Sequence, residues 1–236
     1  MIIALQPAAQ IDWLWRLSGR LSRAAQPTRN KQAKLVHPAD ILAMLEPLLS
    51  ELRTSHQLLG RKRLAYLRSA LTLAVMTFVP VRLKNHGGMK LGNNIAKVGD
   101  HYEVFFSAAE TKIKKPYSGC LPNRPTEVLD IYINEVRPRL LNNHPNEHLW
   151  VSYRHSAVSA QTIYLSTVQL TAEKLGKSIG PHLLRDIAAT WFPTEKPDAV
   201  LASATVLGHA SMRSTQEHYN NARMLDAVRQ FQGGTC

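Results

Sequence analysis

Gly180-Pro181-His182-Leu183-Leu184-Arg185, then Val206-Leu207-Gly208-His209, then Thr215 and His218-Tyr219, form the stretch from which the rest of the sequence is best read. Pro181 after Gly180 marks a helix start, because a proline in the first turn gives up an N–H that had no partner there. His182 and Arg185 then stand three apart on one helix face, where both reach a single ligand. The free N–H groups and positive dipole end of the helix start suit a phosphate. Alone, a His-x-x-Arg pair is most often a surface pair. What adds to it is spacing: His209 lies 24 residues after Arg185, and Tyr219 lies 10 after His209.

Upstream, Lys62 to Val79 is apolar on all sides and reads as a buried helix that stops before Pro80, with the core built around it. An earlier helix starts at His37-Pro38 and repeats Ile41, Leu45, Leu48 and Leu52 at helical spacing, while Pro47 inside it predicts a kink or two shorter helices. Pro7 to Leu21 reads as a helix, followed by a polar, basic linker from Gln26 to Val36. Between Leu91 and Leu121 the pattern turns to short β-like runs: Asn94 to Val98, His101 to Phe106 and Tyr117 to Leu121, with a Gly99-Asp100 turn and a basic tip from Thr111 to Lys115. Thr126 to Leu141, Ser156 to Leu175, Pro181 to Phe192, Asp198 to Leu207 and Ser214 to Phe231 read as helices, with a break at Pro193 among others. The expected fold is α+β, mostly helical, with one small antiparallel sheet. It divides into an N-terminal helix and basic linker, residues 1–36, and a larger domain, residues 37–236.

The chain has 236 residues and a net charge of +12. Six basic side chains face one acidic in residues 1–36, and eight face one in residues 51–90. Charge concentrated in this way is the footprint of a polyanion. Two cysteines, Cys120 and Cys236, support neither a disulfide framework nor a zinc site, and the compartment reads as reducing. The first 20 residues lack a signal-peptide pattern, and the longest uncharged apolar run, Ser69 to Val81, has 13 residues, too few to span a bilayer. The expectation is a cytoplasmic protein with no membrane partner.

His-x-x-Arg, Leu-Gly-His and a tyrosine ten residues on resemble the C-terminal signature of the tyrosine recombinase or phage integrase family. Pro80-Val81-Arg82-Leu83-Lys84-Asn85 resembles the segment holding the family's first catalytic arginine, and Glu110-Thr111-Lys112 resembles the β-hairpin tip holding its lysine. The resemblance covers roughly residues 37 to 236 and implies the fold of the family's catalytic domain. It implies a site-specific recombinase that cleaves and rejoins double-stranded DNA through a 3′-phosphotyrosyl intermediate, working as a homotetramer on DNA without metal or cofactor. Tyr219 is then the nucleophile. Arg82, Arg185 and His209 supply donors to the phosphoryl oxygens, His182 moves protons, and Lys112, on a mobile tip, protonates the departing 5′ oxygen.

The chemistry fits those residue types. A tyrosine hydroxyl has an ordinary pKa of about 10, so it needs a base or an electropositive pocket. Extra negative charge in the transition state calls for fixed donors, and arginine forks stay charged at any relevant pH. Arg68 competes with Arg82 but falls within the apolar run. Lys114 and Lys115 share the tip with Lys112, and His86, His101 and His218 read as ordinary polar residues. Only 36 residues precede the larger domain, whereas most relatives carry a helical core-binding domain there. The alternative expectation is therefore a truncated, non-catalytic DNA-binding remnant.

Overall fold

The computed structural model describes residues 11–24 and 32–195, with side chains as far as Trp191. The chain divides between Ala33 and Lys34 into two units. In the first, helix α1 (Asp12–Ala24) runs three residues past the expected end at Leu21. The carbonyl of Ile11 accepts the N–H groups of Leu14 and Trp15 at 2.9 and 3.3 Å, closing the first turn. Asp12 in that turn and Arg23 in the last match the helix dipole.

In the second unit, helix α2 (Pro38–Ser55) is capped by His37, whose Nδ1 accepts the Ala39 N–H at 3.1 Å, with Pro38 in the first turn. The helix runs through Pro47 as one element, not as the two shorter helices expected as the alternative to a kink. Pro47 and Ala43 both face solvent, so the Ala43 carbonyl that loses its donor is open to water. Leu45, Leu48, Leu49 and Leu52 meanwhile bury the opposite face on both sides of it. Helix α3 (Arg61–Phe78) is buried nearly all round, from Leu64 to Met76, as its sequence predicts. Arg68 within it donates to the Val151 carbonyl at 2.6 Å, a structural bond that accounts for a charge inside an apolar helix.

Beyond a bend at Pro80, the short helix α4 (Leu83–Gly87) leads to the sheet. Strands β1 (Ile95–Val98), β2 (His101–Phe106) and β3 (Tyr117–Cys120) form an antiparallel meander in that order, with Val98 opposite His101 and Phe106 opposite Tyr117. Gly99 makes the first turn with φ near +60°, where a side chain would be strained. Tyr102, Val104 and Phe106 bury one sheet face. Asp130 joins the sheet to helix α5 (Asn123–Ile131), accepting from Lys97 Nζ at 2.6 Å and Tyr102 Oη at 2.7 Å.

Helix α5 continues through a π-helical turn, Tyr132–Val136, into α6 (Arg137–Leu141). The widened turn ends at Val136, two residues before Pro138, whose ring would otherwise meet the carbonyl four residues back. Tyr132 opens this turn. Its buried hydroxyl donates to the Leu149 carbonyl at 3.0 Å and accepts the Val151 N–H at 3.2 Å. Helix α7 (Ala160–Leu175) starts four residues after the expected Ser156, because Ser159 caps it through the Thr162 N–H and Ala157 is bridged to Val151. Helix α8 (Pro181–Glu195) continues past the expected end at Phe192 and through Pro193, which forfeits the single bond to Ala189 without stopping the last turn.

Helices α2, α5, α6, α7 and α8 all lie against α3, so the mostly helical fold with one small antiparallel sheet is as the sequence predicts. The helices expected over 198–207 and 214–231 lie outside the described residues. Among the described residues no helix is long and apolar enough to cross a membrane.

Tyr132 gives a direct test of this packing. Tyr132→Phe leaves a buried carbonyl and a buried N–H unpaired and is expected to lower stability by about 1–3 kcal/mol in urea unfolding. An unchanged midpoint would mean that the π-helical turn does not serve the hydroxyl.

Candidate active site

The site starts at the bend between α3 and α4. Helix α3 ends at Val79, whose carbonyl also accepts the Val81 N–H at 2.8 Å, and Pro80 prevents the helix from continuing. Arg82 then takes an extended conformation as the N-cap residue of α4, its carbonyl accepting the N–H groups of Asn85 and His86 at 2.8 and 3.1 Å. The Arg82 backbone is thereby fixed while its side chain stays half-buried.

Two side chains hold the bend from inside. His86 is fully buried, and its Nε2 bonds the Val79 carbonyl at 2.8 Å, where the ring nitrogen must donate. Arg185, from α8, is 8% exposed and donates through Nη1 to the Pro80 carbonyl. Burial, and then the positive charge of Arg82, push the Arg185 guanidinium down to about 10, still ionised at neutral pH. The two arginines expected to share a ligand are thus neighbours. Burial likewise holds His86 down at about 4, with the charge of Arg185 acting in the same direction.

Tyr117, opening β3, forms the sheet-side wall. Its ring lies 6.4 Å from that of Phe106, and burial pushes its phenol up to about 12, against a smaller opposing pull from Arg185. A side chain at Gly119 would come within 2.9 Å of the Tyr117 hydroxyl, so the glycine leaves room for it. Tyr66, Tyr102 and Tyr132 are also held above the ordinary phenol range, chiefly by burial. None of these four is prepared as a nucleophile.

Lys112 is exposed on the β2–β3 loop, residues 107–116. Two hydrogen bonds hold the tip to its surroundings. Thr111 Oγ1 donates to the Lys115 carbonyl at 2.6 Å, and Asn85 Nδ2, from α4, donates to the Glu110 carbonyl at 3.1 Å. The loop is thereby joined to the helix that Arg82 caps. His182 is exposed in the first turn of α8, one turn before Arg185. His209 and Tyr219 lie outside the described residues. The structure therefore puts Arg185 within electrostatic reach of Arg82, ties the Lys112 loop to the helix that Arg82 caps, and leaves His182 exposed on α8.

His86, Tyr117 and Glu110 had no such reading in the sequence. His86 read as an ordinary polar residue and is instead a buried tether. Its position four residues after Arg82 was the available signal.

His86 makes acid sensitivity predictable. Its unfolded value of 6.5 exceeds its folded value of about 4, so between those limits the unfolded chain binds the extra proton. Stability therefore falls as pH drops through that window, by at most about 1.4 kcal/mol per pH unit from this group. Urea unfolding of wild type and His86→Gln at several pH values should show the difference between them shrinking as pH falls from 6.5 towards 4. Parallel curves would mean that His86 is not buried in the neutral form.

The family model described as "Phage integrase family" matches residues 46–225. Tyrosine recombinase XerD of Halalkalibacterium halodurans is 28% identical over 109 residues, 45% of this chain and 36% of the relative. Among solved structures, XerH site-specific recombinase in its post-cleavage complex with palindromic difH substrate superposes with a TM-score of 0.62 at 17% identity, covering 84% of this chain and 53% of that one. XerA recombinase gives 0.61 at 18%, covering 89% and 68%. The chain spans about half the length of the XerH chain and about a third of XerD. The two structural likenesses fall on the fold described above, and the family match takes in Arg82, Lys112, His182, Arg185, His209 and Tyr219 together: the chain belongs to the phage integrase family, the tyrosine recombinases.

Proposed function

We propose that the chain is a DNA strand transferase, a site-specific recombinase or integrase acting on double-stranded DNA. The observation that carries this reading is the pair of guanidiniums, Arg82 and Arg185, held as neighbours at one bend. Like charges so placed repel each other, and a phosphodiester between them turns that repulsion into attraction from both sides.

In the proposed reaction the Tyr219 hydroxyl attacks the scissile phosphorus. His182 takes the phenolic proton as a P–O bond to tyrosine forms, and the bond from phosphorus to the 5′ oxygen breaks. Lys112 donates the proton that the departing oxygen needs. Arg82, Arg185 and His209 stabilise the charge that grows on the two non-bridging oxygens. The 3′-phosphotyrosyl link keeps the energy of the broken bond, so attack by a 5′ hydroxyl, with tyrosine leaving, rejoins a strand without a nucleotide cofactor or metal. Strand exchange between two duplexes requires four such sites, which supports a homotetramer assembled on DNA in the cytoplasm.

Incubation with a nicked suicide duplex should trap a denaturant-resistant protein–DNA adduct, absent in Tyr219→Phe. Arg82→Ala and Arg185→Ala should each slow cleavage by about a hundredfold or more, the scale for losing one preorganised donor. An adduct in Tyr219→Phe removes the nucleophile assignment, and dependence on added magnesium removes the metal-free chemistry.

A further inference from the structure

Glu110 occupies an unusual place for an exposed carboxylate, because its hydrogen bonds are spent on the loop that carries it. Oε2 accepts from the Ser107 N–H at 2.8 Å and from Ser107 Oγ at 2.7 Å. Oε1 accepts from Asn94 Nδ2 at 2.8 Å. Asn94 is itself buried and fixed: its Oδ1 accepts the Lys90 N–H at 3.1 Å, and its main-chain carbonyl accepts the Phe105 N–H at 2.9 Å. The main-chain carbonyl of Glu110 accepts from Asn85, three residues along the chain from Arg82. The residue therefore ties its loop to the sheet through the carboxylate and to α4 through the backbone. These donors, those of Ser107 foremost, hold the carboxyl below its ordinary range, so the tie persists at neutral pH.

We propose that Glu110 is the positioning residue for Lys112, clamping the β2–β3 loop between Asn94 and Asn85 so that the lysine two residues on is held beside the arginine pair. The inference rests on the reading of Lys112 as the acid that protonates the 5′ oxygen. Lys112 is exposed on a loop, and an exposed lysine samples many rotamers, so its reach is useful only if the main chain under it is fixed. Two donors on Ser107 and one on Asn94 converge on Glu110, and only a carboxylate accepts all three. Gln at this position would turn an N–H towards one of those donors.

The test compares single-turnover cleavage of an ordinary phosphodiester with that of a 5′-bridging phosphorothiolate, whose thiolate leaves without a proton. Lys112→Ala should be slowed by about a hundredfold on the oxygen substrate, the scale of general acid catalysis, and approach wild type on sulfur. Glu110→Ala should be slowed by about ten- to a hundredfold on oxygen, as expected of a misplaced group, and should also recover on sulfur. Arg82→Ala, which loses a donor to the phosphoryl oxygens, should stay slow on both. Recovery of Lys112→Ala without recovery of Glu110→Ala overturns the positioning role and leaves the lysine assignment standing. Failure of Lys112→Ala to recover withdraws the lysine as the acid, and the inference with it. Hydrogen exchange on the full chain supplies a readout independent of cleavage: amides of residues 111–115 should exchange faster in Glu110→Ala while those of α3 stay protected. Equal exchange in the two proteins overturns the inference.

Discussion

The bond from Arg185 to the Pro80 carbonyl spans 105 residues of chain, and the rest of the site depends on it. A guanidinium 8% exposed must find acceptors or lose the energy of its hydration, so Arg185 cannot leave the bend cheaply. The bend cannot leave Arg185 either, because proline lacks the N–H that would continue α3 and its carbonyl has no helical donor to return to. The carbonyls on either side are also engaged, that of Val79 by His86 and Val81, that of Arg82 by α4. One buried cation therefore fixes where α8 meets α3, and the backbone of the second cation, Arg82, is fixed by the same contact.

Much of this was legible in the sequence because it rests on local signals. The apolar circumference of Lys62 to Val79 could only be a buried helix, and Pro80 could only end it. Arg82 and Arg185 were accessible from spacing and family resemblance. The differences lie where caps and distant contacts override local pattern. Ser159 sets the start of α7, since its hydroxyl caps the helix while Ala157 pairs with Val151. Pro47 fails to break α2 because the helix buries leucines on both sides of a proline that faces water. His86, Tyr117 and Glu110 were not readable because each gets its character from residues outside its own segment: desolvation near Arg185 for the first two, and Asn94 and Asn85 for the third. Nothing in a single sequence distinguishes a histidine that donates inward to a carbonyl from one that faces water.

The electrostatics of the resting site follow from the same geometry. Burial lowers Arg185 first and the positive charge of Arg82 lowers it further, so the two cations oppose each other at the bend. The Asp186 charge pulls Arg185 the other way, and His86, buried beside Arg185, is a group that can give up its charge. His86 donates one hydrogen bond to the bend while neutral and adds no further cation, and a lysine or arginine in its place would have carried charge into the same desolvated space. Glu110, tied to α4 through its main-chain carbonyl, spends its carboxylate on Ser107 and Asn94. With two cations at one bend and a neutral His86 beside them, the local charge is positive, and an anion brought to the bend lowers their repulsion; in the reaction proposed above that gain is largest where most negative charge develops, in the transition state of phosphoryl transfer.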